Sequence, residues 1–390
     1  MKVLFLTNIP SPYRVAFFQE LGKLCDLTVL YEKETADDRN EKWMESSLKK
    51  EDTYRKVFLK AVKKGVDNAF CPSVIRYIKD RSFDEIIVGV YSTQTGMYAI
   101  QYMKRHNIPY WISCDGGMAK NEGGLKYKIK SFFLSGAKGY FSPSQVSDQY
   151  LMYYGARKES VFRYPFTSLM QDDILERTVT HDEKSKLRKK LHVTEEIVLL
   201  SVGQFIHRKG YDLLLKAMKE VNESVEKLRK IETDQDGKEI GLYIVGDHPT
   251  EEYLSIQKEL GLTNVHFVAF KRKEELAEYY KMADLFVLPT REDIWGLVIN
   301  EAMAKGLPVV TTDKCVAGLE LIQNGMNGQI VKSDDIPAIK DAVLFWANQN
   351  KNARNRAGEK SLQEIKAYSI EKMAQKYWSI IDLNENTGDR

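Results

Sequence analysis

The sequence lacks the features that mark several large classes of protein. Its four cysteines are scattered and form no Cys-x-x-Cys pair, which argues against a zinc site or a disulfide framework and favours a reducing compartment. No stretch approaches the roughly 18 consecutive apolar residues of a membrane-spanning helix. The formal net charge of +3 is too small an excess to imply nucleic acid as a partner.

The composition is that of a soluble globular protein, with 43% hydrophobic and 29% charged residues. A length of 390 residues predicts two domains rather than one core. The apolar run at the start, Met1–Thr7, is too short for a signal peptide and has the length of a buried strand. We therefore expect a cytoplasmic protein, and any membrane contact would be at the surface.

Short apolar runs alternate with helical patterns along most of the chain, which predicts parallel sheets covered by helices. A polar segment, 167–191, interrupts this alternation and resembles a linker that leads into a helix. We predict an α/β protein of two doubly wound, Rossmann-like domains that face each other across a cleft. The predicted boundaries are 1–166 for the first domain, joined by a C-terminal helix at 368–385, and 190–367 for the second.

Two loops of the second half carry residues suited to a phosphate ligand. The first runs from Gly203 to Gly210 and contains Arg208 and Lys209. Its glycines allow a close backbone approach, and the start of the following helix favours an anion. The structural alternative is a basic turn with a solvated Arg-Lys pair.

The second loop follows the apolar run Leu285–Leu288 and reads Asp-Ile-Trp-Gly-Leu-Val-Ile-Asn-Glu from Asp293 to Glu301. From Gly296 the pattern predicts a helix whose free backbone N–H groups can bind a diphosphate. One carboxylate can then meet sugar hydroxyls and the other ribose hydroxyls. The structural alternative makes Asp293 a helix cap and Glu301 a solvated helix residue.

With these motifs the chain resembles family 4 of the retaining glycosyltransferases, of the bacterial surface-polysaccharide type, which have the GT-B fold. The family signature is two glutamates separated by seven residues, then Ala-Met-Ala and Gly-x-Pro-Val. Asp293 stands at the first position and Glu301 at the second, followed by Ala-Met-Ala-Lys-Gly-Leu-Pro-Val. The resemblance implies a nucleoside diphosphate sugar as the donor and transfer with retention of anomeric configuration.

The same resemblance assigns further donor contacts. Lys209 matches the lysine of the family's phosphate loop, and Arg208 can supply part of the charge of an arginine that is replaced here by Gln204. The remaining predicted donor-binding residues lie in the two loops and in the segment that borders the nucleobase; they are Gly203, Trp295, Gly296, Leu297, Val298, Phe270 and Lys271.

In the first half, the turn after the first strand reads Pro-Ser-Pro-Tyr-Arg, which is stiff because proline fixes φ. Its residues Ser11, Tyr13 and Arg14 are candidates to face the cleft, and a loop held by tyrosine packing is the alternative. Asp115 stands where family members often carry a histidine, so we predict that it takes part in catalysis. An ordinary Asp-Gly turn is the alternative for Asp115.

We expect no metal ion and no cofactor beyond the nucleotide-sugar substrate. The residues do not identify the base, although the prediction favours a UDP-sugar over a GDP-sugar. Asp234-Gln235-Asp236 has the spacing of a metal-binding motif, but it lies in a charged insert and is interpreted as a solvated turn. Lys209, Arg208 and the helix-start amides are predicted to stabilise the leaving diphosphate, while Asp293 orients the sugar.

The acceptor is predicted to be a glycan or a lipid-linked molecule. Two basic segments that also carry apolar residues, Tyr54–Lys64 and Lys120–Lys138, can lie on an anionic membrane, which would place the protein on the inner face of the plasma membrane. A solvated basic face is the alternative. Two other functions stay open: a sugar-nucleotide epimerase of the same architecture, and a non-catalytic partner of an active transferase.

Overall fold

The computed structural model describes residues 1–35, 52–64, 69–120, 122–231 and 239–386. Contacts within the chain divide it into two compact units. The first unit comprises residues 1–171 and 367–390, and the second comprises residues 172–366. The sequence Asp234-Gln235-Asp236 lies outside the described residues.

The first unit alternates strands and helices up to residue 163. Its elements in chain order are β1 (Lys2–Thr7), α1 (Pro12–Leu21), β2 (Asp26–Tyr31), β3 (Arg55–Phe58), β4 (Lys63–Lys64), β5 (Ala69–Phe70), α2 (Val74–Lys79), β6 (Glu85–Val88), α3 (Gln94–Arg105), β7 (Trp111–Ser113), α4 (Gly124–Leu134), β8 (Gly139–Ser142), α5 (Gln145–Tyr153) and β9 (Val161–Arg163).

The second unit repeats the alternation. Its elements are α6 (His181–Lys190), β10 (Ile197–Val202), α7 (Tyr211–Ile231), β11 (Ile240–Val245), α8 (Glu251–Glu259), β12 (Val265–Val268), α9 (Lys273–Met282), β13 (Leu285–Leu288), α10 (Leu297–Ala304), β14 (Val309–Thr312), α11 (Val316–Leu321), β15 (Gly328–Val331), α12 (Ile336–Asn348) and α13 (Lys351–Ile365). The last helix, α14 (Ile370–Asn386), belongs to the first unit.

Each unit contains one parallel sheet. The strand order is β3-β2-β1-β6-β7-β8-β9 in the first and β12-β11-β10-β13-β14-β15 in the second. The described pairs within these two sheets are all parallel, and their central strands are buried. Strand order therefore reverses between β1 and β6 and between β10 and β13. Ligands of such sheets bind beyond the carboxyl ends of the strands at these reversals.

The local sequence explains how two key helices begin. Pro12 is the first residue of α1, a position that needs no N–H donor and suits the fixed φ of proline, so the stiff turn is in fact the helix start. Helix α6 lies inside the polar segment 167–191, which was predicted to be a linker leading into a helix. There, Thr180 and Glu183 form a reciprocal capping box: the Thr180 side chain accepts from the backbone N–H of Glu183, and the Glu183 carboxylate accepts from the backbone N–H of Thr180.

The predicted α/β class with two parallel sheets is confirmed. Two features escaped the sequence pattern. Strand β9 is only three residues long, and β4 pairs with β5 in a two-residue antiparallel ladder. Strands this short contain too few residues to show an alternation of apolar and polar side chains.

Candidate active site

The loop Gly203–Gly210 joins β10 to α7 at the point where strand order reverses in the second sheet. His207–Lys209 form one 3-10 turn, and Gly210 ends it with a left-handed φ of 72°. A Cβ at Gly210 would lie 2.1 Å from the carbonyl oxygen of Pro289, so only glycine fits there. The loop after β10 is thereby packed directly against the loop after β13.

Two cations of this loop converge on one carboxylate. Lys209 Nζ lies 2.6 Å from Asp293 Oδ2, and Arg208 Nη1 lies 3.5 Å from the same oxygen. Arg208 also donates to the carbonyl of Glu292 at 3.1 Å. Lys209 is buried, whereas the Arg208 side chain is 45% exposed and that of Asp293 is 13% exposed. The predicted phosphate-binding cations and the predicted sugar-binding carboxylate are therefore assembled in one place.

The backbone around Asp293 is held by the segment that follows β14. The Asp293 N–H donates to the carbonyl of Lys314 at 2.9 Å, and its own carbonyl accepts from Val316 at 3.3 Å. Two residues later, the carbonyl of Trp295 accepts from the N–H of Ala317 at 2.8 Å and from the thiol of Cys315 at 3.1 Å. The Asp293 loop is thus an ordered extension of the sheet.

Helix α10 begins next to Asp293, as the sequence predicted. Its cap is Gly296, with a left-handed φ of 103°, and a Cβ there would lie 2.6 Å from Cys315 Sγ. The first backbone N–H groups of α10, at the half-buried Leu297 and Val298, lack helical partners by geometry. An anion beside Asp293 would meet these groups and the positive end of the helix.

Trp295 was predicted to contact the donor, but its side chain is buried. Its indole Nε1–H donates to Asn300 Oδ1 at 2.8 Å, which ties the loop to α10. The side chain therefore supports the turn from within. The neighbouring Ile294, in contrast, has an exposed side chain. The sequence analysis did not name Ile294 as a site residue.

Glu301, the second acidic residue, is held by a tyrosine. Tyr280 on α9 donates its hydroxyl to Glu301 Oε2 at 2.9 Å. Burial, with a further contribution from Glu301, raises the pKa of Tyr280 well above its ordinary value, so the phenol remains a donor. One oxygen of Glu301 is therefore fixed by the protein, and the carboxylate is half-buried rather than solvated.

Arg291 is a residue that sequence reasoning missed. Its guanidinium donates to both oxygens of Asp212 at 2.7 Å, to Asp334 at 2.7 Å and to the carbonyl of His207 at 2.8 Å. Burial acts to raise the pKa of Asp212, but the hydrogen bonds from Arg291 outweigh it and the net direction is downward. Arg291 thereby joins the loop after β13 to the loop after β10.

The other predicted donor contacts lie at the same edge of the sheet. Gly203 and Gln204 follow β10 directly, and the Gln204 carbonyl accepts from the N–H of Ile206 at 2.9 Å. Phe270 and Lys271 follow β12, and both are half-buried. The segment after β14 forms α11, where Gly318 packs so closely that a Cβ would lie 2.4 Å from Thr311 Cγ2. Their contacts with a donor stay predictions.

The first unit gathers a separate group at the carboxyl edge of its own sheet. Arg14 on α1 donates through Nη2 to Asp115 Oδ1, just after β7. Tyr13 is half-buried, and burial, followed by the effect of Asp115, raises its pKa. Ser11 and Arg14 were predicted to face a cleft, but both side chains are buried. Asp115 is the partly exposed charge of this group.

Within the described ranges, no group of three or more His, Cys, Asp or Glu side chains is arranged to hold a metal ion. Metal independence nevertheless stays a prediction. Among the same residues, no helix is both long enough and apolar enough to cross a membrane.

Residues 182–364 match the family model described as glycosyl transferases group 1, so the segment that carries the Lys209–Asp293 pair is the segment that matches. The whole chain shares its fold with solved glycosyltransferases. It superimposes on a sucrose-phosphate synthase from Thermosynechococcus elongatus with a TM-score of 0.75 at 16% identity, covering 99% of this chain and all of the other. The predicted GT-B fold is confirmed.

A second solved structure is HepE of Anabaena in complex with UDP and glucose, with a TM-score of 0.72 at 16% identity over 98% of this chain and 99% of that one. Among curated relatives, the N-acetyl-alpha-D-glucosaminyl L-malate synthase of Bacillus anthracis is 29% identical over 53% of this chain and 50% of its own length. The capsular polysaccharide biosynthesis glycosyltransferase CapM of Staphylococcus aureus is 27% identical over 49% and 50%. The chain spans about half the length of these curated relatives.

Proposed function

We propose that the protein is a retaining glycosyltransferase that uses a nucleoside diphosphate sugar and needs no metal ion. The observation that carries this proposal is the convergence of Lys209 and Arg208 on Asp293, beside the start of α10 and at the reversal of strand order in the second sheet. The match of residues 182–364 to group 1 glycosyl transferases supports it.

The positive charges of this site can stabilise a diphosphate as it leaves the sugar. When the bond between the anomeric carbon and the diphosphate oxygen breaks, negative charge grows on the phosphates, where Lys209, Arg208 and the α10 amides can stabilise it. An acceptor hydroxyl oxygen forms the new bond on the face that the diphosphate leaves, and its proton passes to the departing phosphate. Asp293 and Glu301 would orient donor hydroxyl groups during this exchange.

The ion pair of Asp293 has a further consequence for binding. Without a donor, Asp293 offsets the charge of Lys209 at 2.6 Å. A bound diphosphate supplies competing oxygens, so Lys209 can turn to the phosphates while Asp293 accepts from a sugar hydroxyl. This exchange keeps each charge partnered before and after binding.

A UDP-sugar is the donor that we favour. HepE, which shares the fold, was solved with UDP and glucose. A relative from Mycolicibacterium smegmatis, 30% identical over 42% of this chain, is named as GDP-mannose-dependent. UDP-glucose and GDP-mannose are therefore the first pair of donors to compare.

The decisive experiment combines a binding screen with a reaction. Nucleotide sugars, including UDP-glucose and GDP-mannose, are screened by the rise that they cause in melting temperature. The donor that stabilises the protein most is then incubated with it, and release of nucleoside diphosphate is measured with and without EDTA.

We expect slow hydrolysis of the donor, and this hydrolysis should persist in EDTA. Lys209→Ala and Asp293→Ala should each lower its rate about 100-fold or more. Lys219→Ala, on the exposed face of α7, is the matched control and should retain the activity. Hydrolysis that the two site variants leave intact would contradict the proposed site. Stabilisation without any turnover would support the non-catalytic alternative, and conversion of the sugar without its release would support an epimerase.

We also propose that the acceptor is a glycan or lipid-linked molecule of polysaccharide synthesis, met at the inner face of the plasma membrane. Helix α4 of the first unit has three exposed apolar side chains at spacings of four and three residues, Leu125, Ile129 and Phe132, with exposed fractions of 74%, 46% and 48%. The helix carries Lys126, Lys128 and Lys130 and no acidic residue. An apolar stripe flanked by lysines suits an anionic bilayer.

Vesicle binding tests the membrane contact. The protein should sediment with vesicles that contain phosphatidylglycerol and stay in solution with phosphatidylcholine alone. Ile129→Glu should abolish sedimentation, while Leu254→Glu, an exposed leucine on α8 of the second unit, should not. Equal binding to both kinds of vesicle, or retention by Ile129→Glu, would contradict the membrane assignment but not glycosyl transfer.

A further inference from the structure

A groove of about 350 Å³ lies at the amino edge of the second sheet, where β15 begins. It is lined by the end of α12, by α13 and by the turn at Gly325 and Met326. The Lys209–Asp293 pair lies beyond the carboxyl ends of β10 and β13, so the groove is separate from the proposed donor site. Its volume falls at the lower end of the range of about 300–1,000 Å³ that small-molecule sites occupy.

One wall of the groove is apolar and partly open to solvent. Met326 is 54% exposed and Phe345 is 45% exposed. The Phe345 ring packs edge-on against Trp346, with 5.3 Å between the ring centroids. A Cβ at Gly325 would have no atom within 4 Å, so the turn that carries Met326 borders open space. Because methionine is unbranched and adapts to its contacts, this wall suits an apolar body of variable shape.

Trp346 brings an unused hydrogen-bond donor to the groove. The residue is only 3% exposed, and its indole Nε1 is buried with no hydrogen-bond partner among the described residues. A buried indole N–H usually has a partner, and a buried donor left unpaired destabilises the folded protein. A ligand oxygen can reach this donor when a side chain of the groove moves, and Met326 is the most exposed apolar one. Binding would then satisfy a donor that the free protein leaves unpaired.

The α13 side of the groove is positively charged. Arg356 and Lys360 lie one helical turn apart and both line the groove. Arg356 is exposed and forms no ion pair with a described residue. Lys360 pairs with Glu364 at 2.6 Å, and Gln323 Nε2 donates to the same carboxylate oxygen at 3.2 Å. None of the described residues that line the groove is acidic, so an anion there would meet two cations and no opposing carboxylate.

We propose that this groove binds a small organic anion, whose apolar body packs on Met326 and Phe345 and whose carboxylate meets Arg356 and Lys360. The two cations select a negative charge. The apolar wall favours an organic anion over an inorganic one, and the volume limits the ligand to a small molecule. The inference concerns the second unit alone and does not rest on the glycosyl transfer proposed above.

Three probes separate the contributions of charge and apolar contact. The first, 4-phenylbutyrate, carries an apolar body and a carboxylate; 4-phenyl-1-butanol lacks the charge, and acetate lacks the body. Binding to the full chain is followed by ¹H–¹⁵N NMR of the indole N–H groups, one for each of the five tryptophans. The signal that is missing from Trp346→Phe identifies Trp346.

The variants change one side of the groove at a time. Arg356→Gln with Lys360→Gln removes the two cations, and Met326→Asp places a negative charge on the apolar wall. The matched control is Lys219→Gln with Lys227→Gln, which removes two cations from the surface of α7 in the same unit.

We expect 4-phenylbutyrate to shift the Trp346 signal in a saturable manner, and 4-phenyl-1-butanol to bind about 10-fold more weakly. Acetate at the same concentrations should leave the signal unchanged. Without the two cations of α13, the protein should bind the acid about 10-fold more weakly and the alcohol as before, so the preference for the acid disappears. Met326→Asp should weaken binding of the acid about 10-fold or more, and the control should match the wild type.

The inference is overturned if 4-phenylbutyrate leaves the Trp346 signal unchanged, or if the wild type binds the acid and the alcohol equally well. It is also overturned if the preference for the acid survives the loss of Arg356 and Lys360, or if Met326→Asp binds the acid as the wild type does. None of these measurements involves a nucleotide sugar, so their failure leaves the proposed glycosyl transfer to be decided by Lys209→Ala.

Discussion

Each unit places an acidic residue beside a buried cation at the carboxyl edge of its sheet, but only the second unit adds an exposed cation. There the side chains of Lys209 and Asp293 are 10% and 13% exposed, while Arg208 reaches solvent at 45%. In the first unit Arg14 is buried and Asp115 is the exposed member. The exposed charge is therefore a cation, Arg208, in the second unit and a carboxylate, Asp115, in the first.

The surroundings of the two pairs also differ. The second unit presents its cations on a turn that ends at Gly210, where we propose that Lys209 exchanges Asp293 for a phosphate. The first unit surrounds Arg14 with three aromatic rings, and Arg14 Nη1 has no hydrogen-bond partner among the described residues. We therefore expect a ligand to separate the Lys209–Asp293 pair and to leave the Arg14–Asp115 pair intact.

Beyond the two site variants proposed above, the largest effect is expected at Arg291, which supports the loops that carry Lys209 and Asp293. Arg291→Lys should lower kcat/KM for donor hydrolysis about 10- to 100-fold, because lysine cannot reproduce the planar fork that joins Asp212, Asp334 and the His207 carbonyl. Steady-state kinetics with the donor found in the screen measures the kcat/KM of Arg291→Lys and of the wild type.

The matched control for this change is Arg177→Lys. Arg177 also forms a two-pronged pair, with both oxygens of Glu183 at 2.9 Å, but on the surface. It should retain full activity. If Arg291→Lys behaves like Arg177→Lys, the two loops are not coupled through Arg291.

A smaller effect is expected on the affinity for the nucleoside diphosphate when Asp293, the partner of Lys209, is changed. Asp293→Asn removes the negative charge beside Lys209 and Arg208, so the free protein should bind the nucleoside diphosphate product about 3- to 10-fold more tightly. Turnover should fall, since the residue that orients the sugar is changed. Isothermal titration calorimetry with UDP measures the affinity.

The comparison predicts no such gain for the first unit. Because Arg14 is buried and paired with Asp115, we assign it no phosphate, and Asp115→Asn should leave the affinity for UDP unchanged. Weaker binding of UDP to Asp293→Asn would show that this carboxylate does not compete with the diphosphate for the two cations.

The smallest expected effect concerns a second buried charge of the first unit. Burial raises the pKa of Glu32 from 4.5 to about 7, although hydrogen bonds from Thr93 and the Ala69 N–H oppose it. A carboxyl group with a raised pKa favours folding in its protonated form, so stability is lost as the pH rises from about 4.5 through 7. Glu32→Gln should therefore melt a few degrees higher than the wild type at pH 8.

At pH 5 this advantage should disappear, because Glu32 is then protonated in the folded protein. Thermal unfolding at pH 5 and pH 8 measures the difference in melting temperature between Glu32→Gln and the wild type. An equal advantage at the two pH values would mean that the charge of Glu32 is not the cause.

The strands and the second-unit site could be predicted because each depends on short stretches of sequence. The apolar run Leu285–Leu288 is a strand as predicted, and Gly296 starts the expected helix because a positive φ favours glycine. The convergence of Lys209 with Asp293 also followed, since the carboxyl ends of parallel strands share one edge of the sheet.

Contacts between distant side chains could not be predicted. Arg14 and Asp115 are 101 residues apart, and nothing in either turn indicates that they pair. In the sequence, Arg291 does not differ from other basic residues in loops. Only the structure shows that it is paired with Asp212 and Asp334. Trp295 was predicted to contact the donor, and only its burial and its hydrogen bond to Asn300 show that its ring is part of the interior.

The most direct test of the account is a crystal structure of the protein with the nucleoside diphosphate of its preferred donor. We predict that the diphosphate lies beyond β10 and β13, within hydrogen-bonding distance of Lys209 Nζ and the first N–H groups of α10, with the Lys209–Asp293 contact lengthened from 2.6 Å. A nucleotide bound elsewhere, with the Lys209–Asp293 pair intact, would contradict the account.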